Sequence, residues 1–306
     1  MAQLITLDTL VCSYGQPRYV DGSGVQWFAT EITGWFGSPG RRTAHTARST
    51  ADGALRAAAY RDTRTIELTG MIIPVNELDG YAAALQVAAL CPEPGERYML
   101  SVGDPYVTLV SYVEQAGPIL CDRRGGAMLW DFSIPLVSSD PYRYSEAWVS
   151  VSQAGGADAV GGISTDTGIS TNSPGISTGT AATPALVTAA GSGSLGSAIV
   201  YEVTGPTNGV QIADLSSTSI ITVAGGLDTG DSIFINCSPA VAYDVPGALI
   251  PIPPYGAVLG SGSARGAIAV TGGWPTLPAG ASHSYLMTGA MSAGSSLSVH
   301  TRGIWA

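Results

Sequence analysis

Residues 153–184 contain two Asp, no other charged residue and no aromatic residue, and they repeat Gly-Ile-Ser-Thr three times, from Gly162, Gly168 and Gly175. A stretch so poor in large apolar side chains cannot bury a core, and three short copies cannot build a solenoid. It divides the chain into two parts that must each make their own core, and at 306 residues there is length for two. The composition predicts residues 1–146 as a first domain, 147–184 as a Gly/Ser/Thr-rich linker and 185–306 as a second domain.

Both parts read as β. Forty Gly and 19 Pro favour turns over long helices. In the first part, strand patterns occur at 3–12, 25–32, 65–73, 97–102, 106–113, 118–122 and 127–137. The last alternates Met128, Trp130, Phe132 and Ile134 on one face. One helix stands out. Asn76 is placed to cap it with Asp79 as reciprocal partner, and Pro92 and Pro94 end it. Leu78, Tyr81, Leu85 and Ala88 recur at helical spacing and are expected to face the core. After Pro184, short strands alternate with Gly-rich turns at even intervals, as in a β-sandwich. The fold class is therefore mainly β, with one helix in the first domain.

Charge excludes several function classes. The net charge is −10, divided equally between residues 1–146 and 147–306, so neither part carries a basic footprint for nucleic acid. All 13 basic residues are Arg, a side chain favoured in planar interface contacts but also common in proteins of GC-rich genomes. The N-terminal residues lack the basic and apolar regions of a secretion signal, and no apolar run is long enough to span a bilayer. Cys12, Cys91, Cys121 and Cys237 form no ligand-spaced cluster with His45, His283 or His300 and read as reduced, buried thiols.

Motifs for catalysis are weak. Gly175-Ile-Ser177-Thr-Gly179 fits the nucleophile-elbow pattern but lies in the repetitive segment, without the required strand and helix. Gly191–Gly196 fits GxGxxG, yet a strand-like AIVYEV follows where a dinucleotide site needs a helix. The three His offer no Ser/His/Asp grouping, and no catalytic residue or cofactor is expected. Asp228, Asp231 and Asp244 lie beside turns, where Asp caps backbone, with a calcium site as the alternative. Trp274, Tyr255 and Tyr243 are candidates for a sugar-stacking face, against ordinary core packing. The long polar stretch 34–56 holds Arg41, Arg42, Arg48 and Arg56, candidate contacts to another subunit through acids such as Glu93, Glu96 or Asp104.

An ordered set of short motifs resembles one family. Gly37-Ser38-Pro39-Gly40-Arg41 is followed by Asp52-Gly53 and by Tyr60-Arg61-Asp62-Thr63-Arg64 through Gly70. Then come Ser139-Asp140-Pro141-Tyr142-Arg143-Tyr144, Gly179-Thr180-Ala181-Ala182-Thr183-Pro184, Gly230–Ile235 and Trp274–Gly280. Together they resemble the distal tail proteins (Dit-like minor tail proteins) of long, non-contractile-tailed bacteriophages. Ser177 and Thr178 depart from the family pattern, which has Asn before the Gly179 equivalent.

The resemblance implies a tail-tube-like β-sandwich or split barrel with one helix, followed by a galectin-like or carbohydrate-module-like sandwich. It implies a virion protein, assembled in the host cytoplasm, that forms a homo-oligomeric ring, usually a hexamer, at the tail tip. The implied partners are the tail tube protein, the hub or tail-lysin protein and the tape-measure protein, with DNA passing through the channel without specific binding. Host-surface glycan or receptor binding by the second domain is the alternative, and a tail-associated hydrolase a third reading.

Overall fold

A computed structural model describes residues 3–43, 45–47, 52, 54–56, 60–103, 105–125, 128–155, 184–262 and 268–306. The Gly-Ile-Ser-Thr repeats, Ser177, Arg48 and Asp104 fall outside them. The chain divides into two compact units, Met1–Glu146 with Trp305–Ala306, and Ala147–Ile304.

The first unit contains β1 (Gln3–Leu7), β2 (Leu10–Tyr14), β3 (Tyr19–Val20), β4 (Gln26–Thr33), β5 (Arg41–Arg42), β6 (His45–Ala47), β7 (Ala54–Arg56), β8 (Tyr60–Arg61) and β9 (Arg64–Ile73). They are followed by α1 (Glu77–Ala88), β10 (Tyr98–Gly103), β11 (Thr108–Gln115), β12 (Leu120–Arg123), β13 (Trp130–Ser138) and β14 (Arg143–Ser145). The order β13-β9-β4-β2-β1-β10-β11 returns to β13, so seven strands close on themselves. Only the β2–β4 contact is parallel within that ring. The run 3–12, read as one strand, is the β1–β2 hairpin, turning at Asp8 with φ 50°. Asp tolerates this left-handed conformation better than most non-Gly residues.

Strict alternation fills the barrel. Along β13 every second residue, Trp130, Phe132, Ile134 and Leu136, is buried. These meet Ile66, Leu68 and Ile72 of β9 and Leu100 and Val102 of β10 in one core. Period-two patterning is what a sheet with one buried face demands.

The helix differs from the expectation. Its cap is as the sequence predicts: the Asp79 N–H donates to Asn76 Oδ1 at 2.9 Å, and Asn76 Nδ2 donates to Asp79 Oδ2 at 2.6 Å. The buried face, however, is Gly80, Ala83 and Val87. Leu78 and Leu85 are 78% and 71% exposed, and Ala88 is exposed too. Close approach explains the reversal. A Cβ on Gly80 would lie 2.6 Å from Trp130 Nε1 and 3.2 Å from Pro74 Cγ, so the helix packs on β13 through its smallest side chains. Larger residues at those positions would hold the helix off the sheet.

One buried charge ties the first unit together. Arg64, at the start of β9, is 2% exposed. Its Nη1 donates to the carbonyls of Gly34, Trp35 and Gly37 at 2.8, 3.0 and 2.7 Å. Its Nε and Nη2 both donate to the Pro141 carbonyl, at 3.2 and 3.0 Å. The guanidinium thus fixes both the root of the segment leaving β4 and the end of the unit. Burial pushes its pKa down to about 10, with Arg143 and Arg61 adding repulsion, so it stays charged at neutral pH.

The second unit has two five-stranded antiparallel sheets. One runs β15 (Val149–Ala154), β24 (Ser296–Trp305), β17 (Ser197–Thr204), β20 (Ser232–Asn236), β21 (Ala257–Leu259). The other runs β16 (Ala185–Ala190), β23 (Ser282–Met291), β18 (Thr207–Asp214), β19 (Ile220–Leu227), β22 (Ile268–Thr271). Ile199, Val203, Ile233, Leu297 and Val299 of the first meet Val187, Val210, Ile212, Ile221 and Tyr285 of the second in a shared core. This is a β-sandwich. Composition placed 149–154 in the linker, yet these residues are a strand registered on β24 from Val149↔Thr301 to Ala154↔Ser296. The stretch 240–245, read as a strand, is irregular apart from a bridge between Ala242 and Ile252.

Arg64→Met is expected to lower the stability of the full chain by about 3 kcal/mol, because four backbone carbonyls lose their donor. Arg64→Lys should recover less than half of this, since one ammonium cannot reach all four. Urea unfolding followed by tryptophan fluorescence reads both.

Candidate functional site

Two surfaces carry the residues singled out from the sequence. The first is the segment leaving β4. Gly34 has φ 72°, and a Cβ there would sit 1.9 Å from the Thr65 carbonyl oxygen, so only glycine fits where the chain turns out of the barrel. Beyond it, β5 pairs with β8 (Arg41↔Arg61, Arg42↔Tyr60) and β6 with β7 (His45↔Arg56 to Ala47↔Ala54). Arg41 and Arg42 are exposed and, with Thr43 and Tyr60, line an open depression of about 530 Å³. Arg42 Nε lies 3.2 Å from Asp62 Oδ1, with the Arg42 side chain still 71% exposed. An ion pair this exposed holds little energy, and the arginine is accessible to a partner. Arg56 is the last residue of β7. The depression combines planar cations with a 68% exposed tyrosine, a composition suited to protein contact rather than chemistry.

The motif at the end of the first unit is a clamp, which the sequence did not reveal. Asp140 accepts from the Tyr144 hydroxyl and, at 3.1 Å, from the Tyr142 N–H. Burial raises the Asp140 pKa, opposed by the Tyr144 hydrogen bond. Arg61 stacks over the Tyr142 ring at 5.3 Å and Arg143 over the buried Trp35 at 5.7 Å. Arg143 also donates to the Ala306 carbonyl, and Trp305 Nε1 donates to Ser145 Oγ at 3.3 Å. The Arg61–Arg64 and Asp140–Tyr144 motifs, about 80 residues apart, are therefore two halves of one cluster.

In the second unit, Tyr255 and Trp274 come together, ring centroids 5.2 Å apart and planes tilted by 37°. Tyr255 is 44% exposed and holds φ 48°, an unusual conformation for an aromatic residue. Tyr243 is engaged differently: its carbonyl accepts from Trp148 Nε1 at 3.0 Å. Of the three proposed stacking residues, Tyr255 and Trp274 are thus brought together as a ring pair. Asp228 and Asp231 hold a turn, the Asp231 N–H donating to the Asp228 carbonyl at 3.1 Å. Among the described residues, no three His, Cys, Asp or Glu side chains are grouped to hold a metal ion. The GxGxxG match is resolved by packing. Gly193 and Gly196 hold φ 80° and 105° against the backbone at Ile304 and Leu277, and β17 follows directly.

The sequence offers no Ser/His/Asp grouping, but the structure brings a Ser, a His and a Glu into one line. Ser150 Oγ lies 2.7 Å from His300 Nδ1, and His300 Nε2 lies 3.1 Å from Glu202 Oε2. Its setting is that of a sheet contact. Ser150 is directly opposite His300 in the β15–β24 ladder, and the next pair on the same face, Ser152 and Ser298, is bonded in the same way at 2.8 Å. Ser150 occupies a regular strand, whereas an activated serine sits on a strained turn next to oxyanion donors. The cysteines are free, and burial raises the pKa of Cys12 to about 12 and of Cys91 and Cys121 to about 11, which keeps all three protonated at neutral pH. No described helix is long and apolar enough to cross a membrane.

A closed seven-strand barrel carrying one helix, joined to a ten-strand sandwich, defines a mainly β, two-unit protein. No family model and no curated protein matches the chain. Solved structures do. The chain is similar to the SPP1 Dit (gp 19.1) protein, a paradigm of the hub adsorption apparatus in phages infecting Gram-positive bacteria, with TM-score 0.58 and 12% identity over 98% of both chains. Chains of the phage P2 baseplate in its activated conformation, with Ca or with Sr, give TM-scores of 0.41 and 0.42 at 9% identity. The SPP1 likeness shows that this chain has the fold of a Dit protein from end to end, and the family resemblance read from the motifs is met at that level.

Incubation of the folded protein with a fluorophosphonate is expected to leave Ser150 unmodified in intact-mass spectra. Labelling that disappears in Ser150→Ala would overturn the structural reading of the Ser150–His300–Glu202 line.

Proposed function

We propose that this chain is a structural protein of a phage tail tip: a ring of six copies that joins the tail tube to the distal apparatus and surrounds the path of the outgoing genome. The observation that carries the reading is the match to SPP1 Dit over 98% of both chains, which includes both units in the same order. Two properties of the chain support it. A chain with only 12% charged residues leaves a thinly charged surface, as suits a protein that contacts neighbours on several sides. The net charge of −10 repels DNA, which favours passage over binding.

In this reading the first unit forms the ring, with Arg41, Arg42, Arg48 and Arg56 as its contacts to a neighbouring copy. The tube protein, the hub or tail-lysin protein and the tape-measure protein are its partners in the virion. The protein is assembled in the host cytoplasm and has no catalytic role.

A second reading rests on the Tyr255–Trp274 pair. An exposed tyrosine ring beside a half-buried tryptophan on a β-sandwich is suited to stacking on the apolar face of a sugar, so the second unit would also attach to a host-surface glycan. The two functions are compatible.

Negative-stain microscopy of the purified full-length chain at increasing concentration should show rings with an open centre. Their absence from the protein alone and from tails, combined with no gold-antibody label at the tail tip, would refute the structural role. On a glycan array, specific binding by the full chain that falls at least tenfold in Trp274→Ala would establish the second function, and no binding would remove it.

A further inference from the structure

Helix α1 presents an exposed apolar stripe. Leu78, Tyr81 and Leu85, spaced by three and four residues, are 78%, 49% and 71% exposed, with one edge of the Tyr81 side chain against Trp130, ring centroids 5.1 Å apart. That spacing places them on one helical face. Isolated exposed apolar residues are ordinary, but a continuous row of three marks a contact surface. The helix has no basic residue in its last turn, and the exposed Glu93 and Glu96 follow its C-terminal end. The negative end of the helix dipole therefore lies at the Leu85 end of the stripe, and two exposed carboxylates follow in the next turn of chain.

The matching surface lies on the same polypeptide. Residues 34–63 hold five Arg and two acids, a charge of +3, whereas the rest of residues 1–146 holds six Arg and fourteen acids, a charge of −8. Charge in the first unit is thus segregated onto the segment that leaves the barrel. Its described part offers Arg41, Arg42 and the 68% exposed Tyr60, cations beside an aromatic ring. An apolar row followed by carboxylates and a cationic ribbon with an aromatic ring are complementary in both polarity and charge. Two different surfaces of one chain that fit each other make a heterologous contact, the kind that closes into a ring.

We infer that the α1 stripe, with Glu93 and Glu96 following it, is the seat for the β5–β8 ribbon of a second copy of this chain. The inference rests on the ring reading above and adds to it the receiving surface. The helix was expected to turn its leucines inward; their outward placement is what makes it available.

The test uses the full-length chain with the photocrosslinker benzoylphenylalanine at position 78, mixing isotope-labelled and unlabelled copies so that intermolecular adducts are recognised by mass. Adducts are expected between position 78 of one copy and residues 36–64 of another. Leu78→Glu with Leu85→Glu, at two exposed positions that should leave the circular dichroism spectrum unchanged, is expected to weaken self-association at least tenfold in sedimentation velocity. Self-association unchanged in the double variant, or intermolecular adducts mapping elsewhere, would overturn the assignment of the helix face while leaving the ring intact. A wild-type chain that stays monomeric and gives no intermolecular adduct at any concentration would overturn the ring in solution and this inference with it.

Discussion

The first unit depends on one guanidinium enclosed by backbone. The Arg64 guanidinium donates to carbonyl oxygens, three from Gly34–Gly37 and one, shared by two donors, from Pro141. Burying a charge is costly unless its hydrogen bonds are made. Arg suits the task because its donors lie in a rigid plane and can address two chain segments at once. The consequence is mechanical. The place where the Arg41–Tyr60 ribbon leaves the barrel and the place where the unit ends are held by the same side chain. Around it, Arg143 on Trp35 and Arg61 on Tyr142 extend the cluster by stacking. The exposed ribbon is thereby attached to a rigid base.

Much of the architecture was legible because a sheet with one buried face writes itself as alternation. Strand β13, with Trp130, Phe132, Ile134 and Leu136 inward, is the plainest case, and Asn76 with Asp79 marked the helix start. Barrel closure was not legible, since pairing between β11 and β13 depends on distant register. The orientation of α1 was misjudged because helical periodicity identifies a stripe but does not say what it meets. Here steric closeness to Trp130 selected Gly80 and Ala83 over Leu78 and Leu85. Strand β15 was hidden by composition: all six of its residues are exposed, so it bears no core signature.

The candidate surfaces were legible in part. The concentration of arginine between positions 41 and 64 is visible in the sequence, but which of these side chains is internal is not. Arg64 is buried while Arg42 is free to solvent on most of its surface, and the two look alike in the sequence. The Ser150–His300–Glu202 line joins residues up to 150 positions apart, beyond any spacing rule. Its membership in a cross-strand row, beside Ser152 and Ser298, separates it from a reactive constellation more clearly than its distances do.

Closure of the seven strands has a further consequence for how such a unit meets its neighbours. A sheet with open edges can recruit foreign strands through its backbone, a strong and poorly selective mode of growth. In the ring formed by β13, β9, β4, β2, β1, β10 and β11, each strand already has hydrogen-bonded company on both sides. Contacts made across that ring must then be written in side chains. Such contacts can be chosen residue by residue, and they can be parted without tearing a ladder.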